Sequence, residues 1–389
     1  MRILQLHNEH ATMGGAMEVL LHESSLLEGA GHEVEQYITS RADGAGLSAI
    51  RAGAKAVWNV EATREVARRI QRFKPDVVHV HTPFPLMSPA VFRAAQAAGV
   101  PAVTTLHSYR YSCVVGTCRR DGSICEDCVG SRLKLPGVVH ACYHDSRAAS
   151  AALTVGLGLH RAIGTFHKAV ARYVTLTDFS RRLLIRDGYP ADRIVVKPNS
   201  VPDPGYRAVP TNEERRVVFA GRLVEEKGVR TLLNAWTEAR VGLHLVIAGD
   251  GPLRSLVEEH AAMDDSITLL GWVDERRVID LMASAEVVLV PSEWYEGAAP
   301  LVTLRSLGVG TPVMASDLEN LSKEMLDDGA GWVFPPGDSK ELAESLRALA
   351  ADPSRARSLR SRARRSYKNR YSPEVNLLRL QQLYREVVV

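Results

Sequence analysis

The segment Pro198-Asn-Ser-Val-Pro-Asp-Pro-Gly-Tyr-Arg-Ala-Val-Pro210 divides the sequence into two halves of the same kind. It contains four prolines in thirteen residues. Such a stretch favours extended, turn-rich backbone, because proline fixes φ and lacks an amide donor. We therefore place a boundary here between a domain of residues 1–200 and one of residues 201–370. Two domains also suit a chain of 389 residues, since one domain usually has about 100–200.

On both sides of this segment, short apolar runs alternate with stretches such as Met17–Gly29, in which apolar residues recur at helical spacing. This alternation predicts parallel sheets covered on both faces. The expected fold class is α/β, with two Rossmann-like doubly wound domains facing each other across a cleft. Residues 371–389 are expected to form a helix that packs back toward the N-terminal domain. The predicted strands are Ile3–Leu6, Glu33–Tyr37, Val77–Val80, Ala102–Leu106, Tyr173–Leu176, Ile194–Val196, Val217–Ala220, His244–Ala248, Ile267–Leu269, Val287–Val290 and Val313–Ala315.

The composition excludes several classes of protein. Hydrophobic residues make up 46% and charged residues 24% of the chain, which excludes global disorder and fibrous structure. A net charge of +3 is too small for a nucleic-acid-binding protein. The longest uncharged stretches, Val77–Phe92 and Ala94–Tyr109, are shorter than the about 20 apolar residues of a spanning helix. With no apolar signal core after Met1, we expect a cytoplasmic protein.

An arginine-rich stretch near the C-terminus leaves two interpretations open. It is either a solvated helix face or a surface for peripheral contact with the inner face of the membrane. The arginines are Arg355, Arg357, Arg360, Arg362, Arg364 and Arg365.

Two turns after predicted strands carry the residues of an anion site. Gly14 and Gly15 precede a helix, so that main-chain amides and the helix dipole can approach a phosphate. Gly221 and Arg222 follow a strand, with Lys227 five residues after the arginine. A planar guanidinium and a compact ammonium together suit a pyrophosphate. Simple turn chemistry and solvated surface cations are the alternatives.

Two later turns are candidates for contact with a flat ligand. Gly251 lets the backbone approach closely, and the backbone at Val273 follows a strand where it can contact the edge of a base. Ordinary turn chemistry is again the alternative interpretation.

The strongest local signal is Pro291-Ser-Glu-Trp-Tyr-Glu-Gly-Ala-Ala-Pro300. Pro300 suits the first position of a helix, so the amides of Gly297, Ala298 and Ala299 are expected to converge beside the Glu296 carboxylate. Such a site can bind sugar hydroxyls through the carboxylate and an anion through the amides. The alternative is an acidic first turn that only complements the helix dipole.

Taken together, these motifs resemble the GT-B nucleotide-sugar glycosyltransferases, and within them the retaining transferases of glycosyltransferase family 4. The resemblance covers nearly the whole chain. Its most specific pieces are Gly221–Gly228, Ala248–Leu253, Pro291–Glu296 and Gly310–Val313, with Leu106–Arg110 and Arg120–Cys128 typical of one branch.

The resemblance implies a role for each site residue. Arg222 and Lys227 would bind the donor diphosphate and stabilise the leaving nucleotide. His107 matches the active-site histidine near the reacting sugar, with a satisfied core histidine as the alternative. Glu296 would accept hydrogen bonds from the donor sugar, and the backbone near Val273 would contact the base.

The implied mechanism is retention by same-face attack, in which the departing phosphate accepts the proton of the acceptor hydroxyl. The chain contains no Asp-x-Asp motif, so we expect a metal-independent reaction with Arg222 and Lys227 as the cations. The expected donor is a UDP- or GDP-sugar. A small molecule, a glycan and a lipid-linked sugar all remain open as acceptors.

One position departs from the family pattern. Arg305 stands where family members carry a second glutamate that binds the nucleotide ribose, and a guanidinium can donate but not accept. The departure motivates an alternative function, a degenerate transferase that only binds a sugar or a protein partner. A phosphorylase or epimerase on the same architecture is a third class.

All five cysteines lie between residues 113 and 142, inside an insert of residues 108–145. Cys125 and Cys128 have metal-ligand spacing and are flanked by Cys113 and Cys142, which would complete a structural zinc site. Disulfides and plain buried thiols are the alternatives. Cys118 is spare under the zinc interpretation.

Overall fold

The computed structural model describes residues 1–8, 15–39, 49–207, 215–297, 299–322 and 326–388. The chain forms two compact units. Unit 1 comprises Met1–Arg120, Cys125–Asn199 and Asn376–Val389, and unit 2 comprises Asp121–Ile124 and Ser200–Val375.

Unit 1 is built on a parallel sheet of six strands. Its strands are β1 (Arg2–Asn8), β2 (Glu33–Thr39), β3 (Val77–Thr82), β4 (Ala102–Leu106), β7 (Arg172–Thr175) and β8 (Ile194–Val196). Their order in the sheet is β2-β1-β3-β4-β7-β8. A separate short pair, β5 (Arg119–Arg120) and β6 (Ser123–Ile124), lies between β4 and β7 along the chain. The helices are α1 (Gly15–Gly29), α2 (Ala49–Val57), α3 (Val60–Phe73), α4 (Ala90–Ala97), α5 (Leu135–Val139), α6 (Arg147–Ala162), α7 (Thr165–Lys168) and α8 (Asp178–Arg186), with a 3₁₀ turn at Ala191–Arg193.

Unit 2 repeats this architecture. Its strands are β9 (Arg216–Ala220), β10 (His244–Ala248), β11 (Ile267–Gly271), β12 (Val287–Val290), β13 (Val313–Ser316) and β14 (Gly331–Phe334). All are parallel, in the order β11-β10-β9-β12-β13-β14. The helices are α9 (Val229–Ala239), α10 (Arg254–Met263), α11 (Glu275–Ser284), α12 (Leu301–Val309), α13 (Ser339–Ala351) and α14 (Pro353–Arg370), with a 3₁₀ turn at Glu225–Lys227.

Successive residues of the central strands pack into different hydrophobic clusters. In β9, Val217 and Phe219 belong to one cluster, and Val218 belongs to another. In β1, Ile3 and Leu4 likewise belong to two different clusters. Because strand side chains alternate between faces, both faces of each sheet are covered. The predicted α/β fold class with two parallel-sheet domains is therefore confirmed.

The order of strands reverses at one place in each sheet. In unit 2 the reversal lies between β9 and β12, and in unit 1 between β1 and β3. The loops that leave the carboxyl ends of these neighbouring strands diverge to opposite faces and leave a crevice where open α/β sheets bind ligands.

The sequence did not predict β14 or the pair β5 and β6. β14 is a four-residue edge strand whose apolar run, Trp332–Phe334, is only three residues long and lies between Gly331 and Pro335, which is too short for a strand signal. β5 and β6 have two residues each, too few for any periodic signal.

The last helix, α15 (Pro373–Val387), joins unit 1 from Asn376 onward. Its residues Leu380, Leu383 and Tyr384 are buried in a cluster with Ile3 of β1. Within the described residues, no helix is both long and apolar enough to cross a bilayer.

The arginines of α14 make defined contacts in unit 2. Arg355 lies over the Trp332 ring, and Arg364 pairs with Asp203. Arg360 is buried, and its guanidinium donates to the carbonyls of Ala283, Ala285 and Arg207. The first two of these belong to the C-terminal end of α11, where carbonyls lack helical partners. Arg360 and Arg364 are therefore not simply solvated, whereas Arg355 is exposed.

We predict that Arg360→Leu destabilises unit 2 by about 1–3 kcal/mol, because it leaves buried carbonyls without donors. Urea unfolding followed by circular dichroism measures the change. The matched control is Arg357→Leu on the same helix, where the side chain is exposed. Equal effects of the two substitutions would contradict the capping role.

Candidate functional site

The strand reversal in unit 2 brings predicted site residues together. β9 leads into Gly221 and Arg222, and the same loop continues to Lys227. β12 leads into the loop that carries Glu296. Because β9 and β12 are neighbours in the sheet, both loops start at the same edge and Lys227 meets Glu296.

Close backbone approaches hold these loops in place. Gly228 has φ +69°, and a Cβ there would lie 1.8 Å from the carbonyl oxygen of Pro291. Only glycine allows this contact between the two loops. A Cβ on Gly251 would lie 2.5 Å from the carbonyl oxygen of Leu223. The close approach predicted at Gly251 is thus made to the chain's own backbone.

Lys227 and Glu296 form an ion pair, with Lys227 Nζ 2.5 Å from Glu296 Oε1. Ser292 Oγ donates to the same carboxylate oxygen over 2.7 Å, and Asn320 Nδ2 donates to the main-chain carbonyl of Glu296. The glutamate is buried, with 7% of its surface exposed. Its position is therefore set by three neighbours, and it in turn holds the ammonium at the end of the sheet.

Unit 2 contains a cavity of about 310 Å³, lined in part by Arg222 from the loop that also carries Lys227. Its volume is within the usual range of small-molecule sites, which begins at about 300 Å³. Its lining combines the guanidinium groups of Arg222 and Arg305 with the Asp250 carboxylate, an apolar wall and the exposed indole of Trp272. The lining residues include Gly221, Arg222, Val273 and Arg305 from the sequence analysis, together with Trp272, Val278 and Val302. Cations next to a flat apolar wall suit an anionic ligand with an aromatic ring.

Arg305 reaches this cavity from α12 and pairs with Glu275 at the start of α11. Its Nε and Nη2 lie 2.8 and 2.7 Å from Glu275 Oε1. Only 13% of the arginine side chain is exposed, against 54% of the glutamate side chain. The sequence could not show this pairing, because the two residues lie on different helices, 30 positions apart.

The start of α12 differs from the prediction. Pro300 has φ −54° and ψ 136° and precedes the helix, which begins at Leu301. Pro300 is therefore not the first helical residue, because its ψ is extended. Gly297 and the buried Ala299 flank Ala298, which lies outside the described residues.

In unit 1, His107 follows β4 and lies against histidines of β3. His81 Nδ1 is 3.0 Å from His107 Nε2, and the two rings stack. His79, which precedes His81 by two residues, forms hydrogen bonds with Tyr384 of α15 and with Thr105. Gly15 is the first residue of α1, whereas Gly14 lies outside the described residues.

A buried ion pair lies next to His81. Lys197 Nζ is 2.5 Å from Glu23 Oε1, and at most 3% of either side chain is exposed. Glu23 Oε2 lies 3.7 Å from His81 Nε2. Burial lowers the pKa of His79 and of His81 well below the usual range, and the charge of Lys197 acts in the same direction. Both imidazoles are therefore neutral near pH 7.

Glu23, His79 and His81 place three ligand atoms within 4.8 Å of one another. The Lys197 ammonium pairs with Glu23, and both ring nitrogens of His79 have hydrogen-bond partners. Glu23 Oε2 and His81 Nε2 are buried without such a partner among the described residues. Sequence reasoning missed this cluster. Its only local signals are Glu23 on the apolar side of a helix and two histidines inside an apolar strand.

Comparison with known families identifies both halves of the chain. Residues 14–200 match the family described as glycosyl transferase 4-like domain. Residues 214–352 match the family described as glycosyl transferases group 1.

Curated relatives and solved structures agree with these matches. The phosphatidyl-myo-inositol mannosyltransferase of Mycobacterium leprae is 29% identical over 222 residues, which are 55% of this chain and 58% of the relative. The D-inositol 3-phosphate glycosyltransferase of Kineococcus radiotolerans is 31% identical over 271 residues, 59% of this chain and 61% of the relative. The chain spans less than two thirds of each of these relatives.

Among solved structures, Anabaena HepE in complex with UDP gives a TM-score of 0.69 at 18% identity and covers 98% of this chain and 99% of its own. Sucrose-phosphate synthase from Thermosynechococcus elongatus gives 0.71 at 17% identity, with 99% of each chain covered. At these identities, the likeness establishes the fold alone.

We predict that Lys197→Met lowers the free energy of unfolding of unit 1 by about 3–5 kcal/mol, because it leaves the Glu23 carboxylate buried and unpaired. The double variant Glu23→Gln with Lys197→Met should lose less than the sum of the single losses. Lys55→Met is the control, since its partner Glu61 is largely exposed, and it should leave the unfolding midpoint nearly unchanged. Additive losses in the double variant would contradict the coupling.

Proposed function

Because the chain belongs to the glycosyltransferases of GT-B fold and family 4 type, we propose that it transfers a sugar from a nucleoside-diphosphate donor to a hydroxyl acceptor. One observation supports this most directly. The Lys227–Glu296 pair lies at the strand reversal of unit 2, and Arg222 from the same loop as Lys227 lines a cavity together with Arg305. Cations for a diphosphate and a carboxylate for sugar hydroxyls thus meet at one sheet edge.

In this proposal Arg222 and Lys227 bind the donor diphosphate. Arg222 is more than half exposed and lies 3.6 Å from Glu226, so it can turn toward a ligand at little cost. Lys227 is held in place by Glu296 before any ligand arrives. A preorganised ammonium stabilises the charge that builds up on the leaving diphosphate more strongly than a mobile one.

Glu296 is proposed to accept hydrogen bonds from the donor sugar. Oε1 already receives donors from Lys227 and Ser292, which fixes the orientation of the carboxylate. An oriented carboxylate can accept hydrogen bonds from sugar hydroxyls in a defined direction.

We propose a retaining reaction that needs no metal ion. The bond between the anomeric carbon and the phosphate oxygen breaks, the acceptor oxygen bonds to the same face of that carbon, and the departing phosphate takes the acceptor's proton. No protein nucleophile is required, and the protein contributes orientation and charge stabilisation. His107 remains the predicted unit 1 residue near the reacting sugar, with its orientation set by His81.

The proposed donor class is supported by the cavity and by one structural neighbour. Anabaena HepE binds UDP and UDP-glucose, so a UDP-sugar is the first donor to test and a GDP-sugar the second. We keep a small molecule, a glycan and a lipid-linked sugar as acceptor classes, and peripheral membrane contact remains a proposal linked to the last of these. The family matches give no support to the binding-only alternative.

The decisive experiment incubates the purified protein with UDP- and GDP-sugars and extracts of candidate acceptors, and detects glycosylated products by mass spectrometry. Lys227→Met should lower donor turnover by about 10²–10³-fold, since it removes a preorganised charge at the leaving group. Lys340→Met, an exposed lysine of unit 2, should retain wild-type turnover. Equal turnover in the two variants would refute the role of Lys227, and absence of any product would refute sugar transfer.

Arg305 tests donor recognition separately from chemistry. We predict that Arg305→Met raises KM for the donor roughly tenfold while kcat changes less than about threefold, because it removes a charged donor from the nucleotide cavity. Arg276→Met, at an exposed position of α11, is the control and should leave both constants unchanged. Initial-rate kinetics with varied donor measure them. An unchanged KM would show that Arg305 only pairs with Glu275.

A further inference from the structure

The cysteine-rich insert of unit 1 surrounds a small cavity. Cys113, Cys125, Cys128 and Cys142 all line it, and its volume is about 10 Å³. This is close to the about 10–15 Å³ that one water molecule needs. The space therefore suits a single atom or small ion and excludes a larger cofactor.

Main-chain amides point at two of the sulfurs. The Sγ atom of Cys113 accepts hydrogen bonds from the amides of Val115, Gly116 and Cys118. The Sγ atom of Cys128 accepts from the amides of Val114 and Gly137. Groups that ligate metals are characteristically oriented by such surrounding hydrogen bonds. Two of the four sulfurs are thus approached by main-chain amides, and the Cys128 thiol also donates to the carbonyl oxygen of Lys134.

Charged side chains also line the cavity. They are Arg119, Arg120 and Asp127, and Arg120 pairs with Asp127 over 2.7 Å. The Nε atom of Arg119 is buried and has no hydrogen-bond partner among the residues that the structure describes. A buried guanidinium N–H without an acceptor favours a nearby anion. Four thiolates around a divalent cation carry a net charge of −2, part of which Arg119 would offset.

We propose that Cys113, Cys125, Cys128 and Cys142 bind one zinc ion. Zinc prefers four thiolates in a tetrahedral arrangement with Zn–S bonds of about 2.3 Å, and the ligand spacing Cys-x-x-Cys is typical of such sites. Each thiol loses its proton on binding. The fifth cysteine, Cys118, makes a hydrogen bond to Cys113 through its thiol group and does not line the cavity.

The thiols must move to close on the ion. In the described part of the chain, the cysteine sulfurs do not form a set of three within 4.8 Å of one another, whereas sulfurs of a tetrahedral site are about 3.8 Å apart. Since all four already line one small cavity, side-chain rotation is the movement required. Binding would then draw the insert together.

A site with four protein ligands has no open position for water or substrate, so this zinc is structural. The regular elements of the insert are short, since α5 has five residues and β5 and β6 have two each. Bound zinc would add to the stability that buried side chains such as Tyr111 and Val114 supply.

The first test is the metal content of the purified protein. Inductively coupled plasma mass spectrometry after dialysis against EDTA should find about one zinc per chain. Blocking the thiols with a mercurial should release the same amount, as measured with a chromogenic zinc chelator. Protein without zinc, and unable to retain added zinc, would overturn the proposal, as would a disulfide between any two of the four cysteines.

Matched variants then separate the ligands from the spare cysteine. Cys125→Ser should lower the retained zinc at least tenfold, since loss of a ligand weakens the site. Cys118→Ser should retain about one zinc. Retention of zinc by both variants, or its loss from both while circular dichroism shows a folded chain, would refute the assignment. If Cys125→Ser does not fold, zinc release from the wild type on mercurial treatment still decides the question.

Discussion

Parallel strands end at a common edge, and this constraint determines where the functional groups of unit 2 lie. The order of strands reverses between β9 and β12, so their loops start side by side and then diverge. Gly228 allows the first loop to touch the carbonyl of Pro291 in the second. The ion pair between Lys227 and Glu296 depends on that contact. A bulkier residue at position 228 would push the two loops apart and separate the charges.

Unit 1 has the same sheet architecture, but its cation is in a different environment. In unit 2 the cations lie at a partly open cavity, where they can meet an anionic ligand. In unit 1 the cation Lys197 is buried and fully committed to Glu23. The histidines beside it stay neutral because burial and the lysine charge both disfavour protonation. His81, which is neutral, can therefore orient the neighbouring imidazole of His107 without adding a charge beside it.

Much of the fold could be predicted because its signals are local. Central strands correspond to continuous apolar runs in the sequence, and the helices between them correspond to stretches with apolar residues at helical spacing. The edge strand β14 was not predicted, because its apolar run of three residues between Gly331 and Pro335 is too short for a strand signal. At the candidate site, Arg222, Lys227 and Glu296 could be proposed from the sequence because they lie in loops that follow strands. The partners Glu275 and His81 were not, since nothing in their own neighbourhood indicates what they contact.

The sequence by itself therefore determined two parallel α/β halves and the turns that carry charge, because hydrophobic periodicity and turn chemistry act over a few residues. Only the tertiary structure decided which turns become neighbours. Lys197 and Glu23 are 174 positions apart, and Lys227 and Glu296 are 69 apart. Such pairs arise from the order of strands in a sheet. That order is set by how whole elements pack, and no local pattern encodes it.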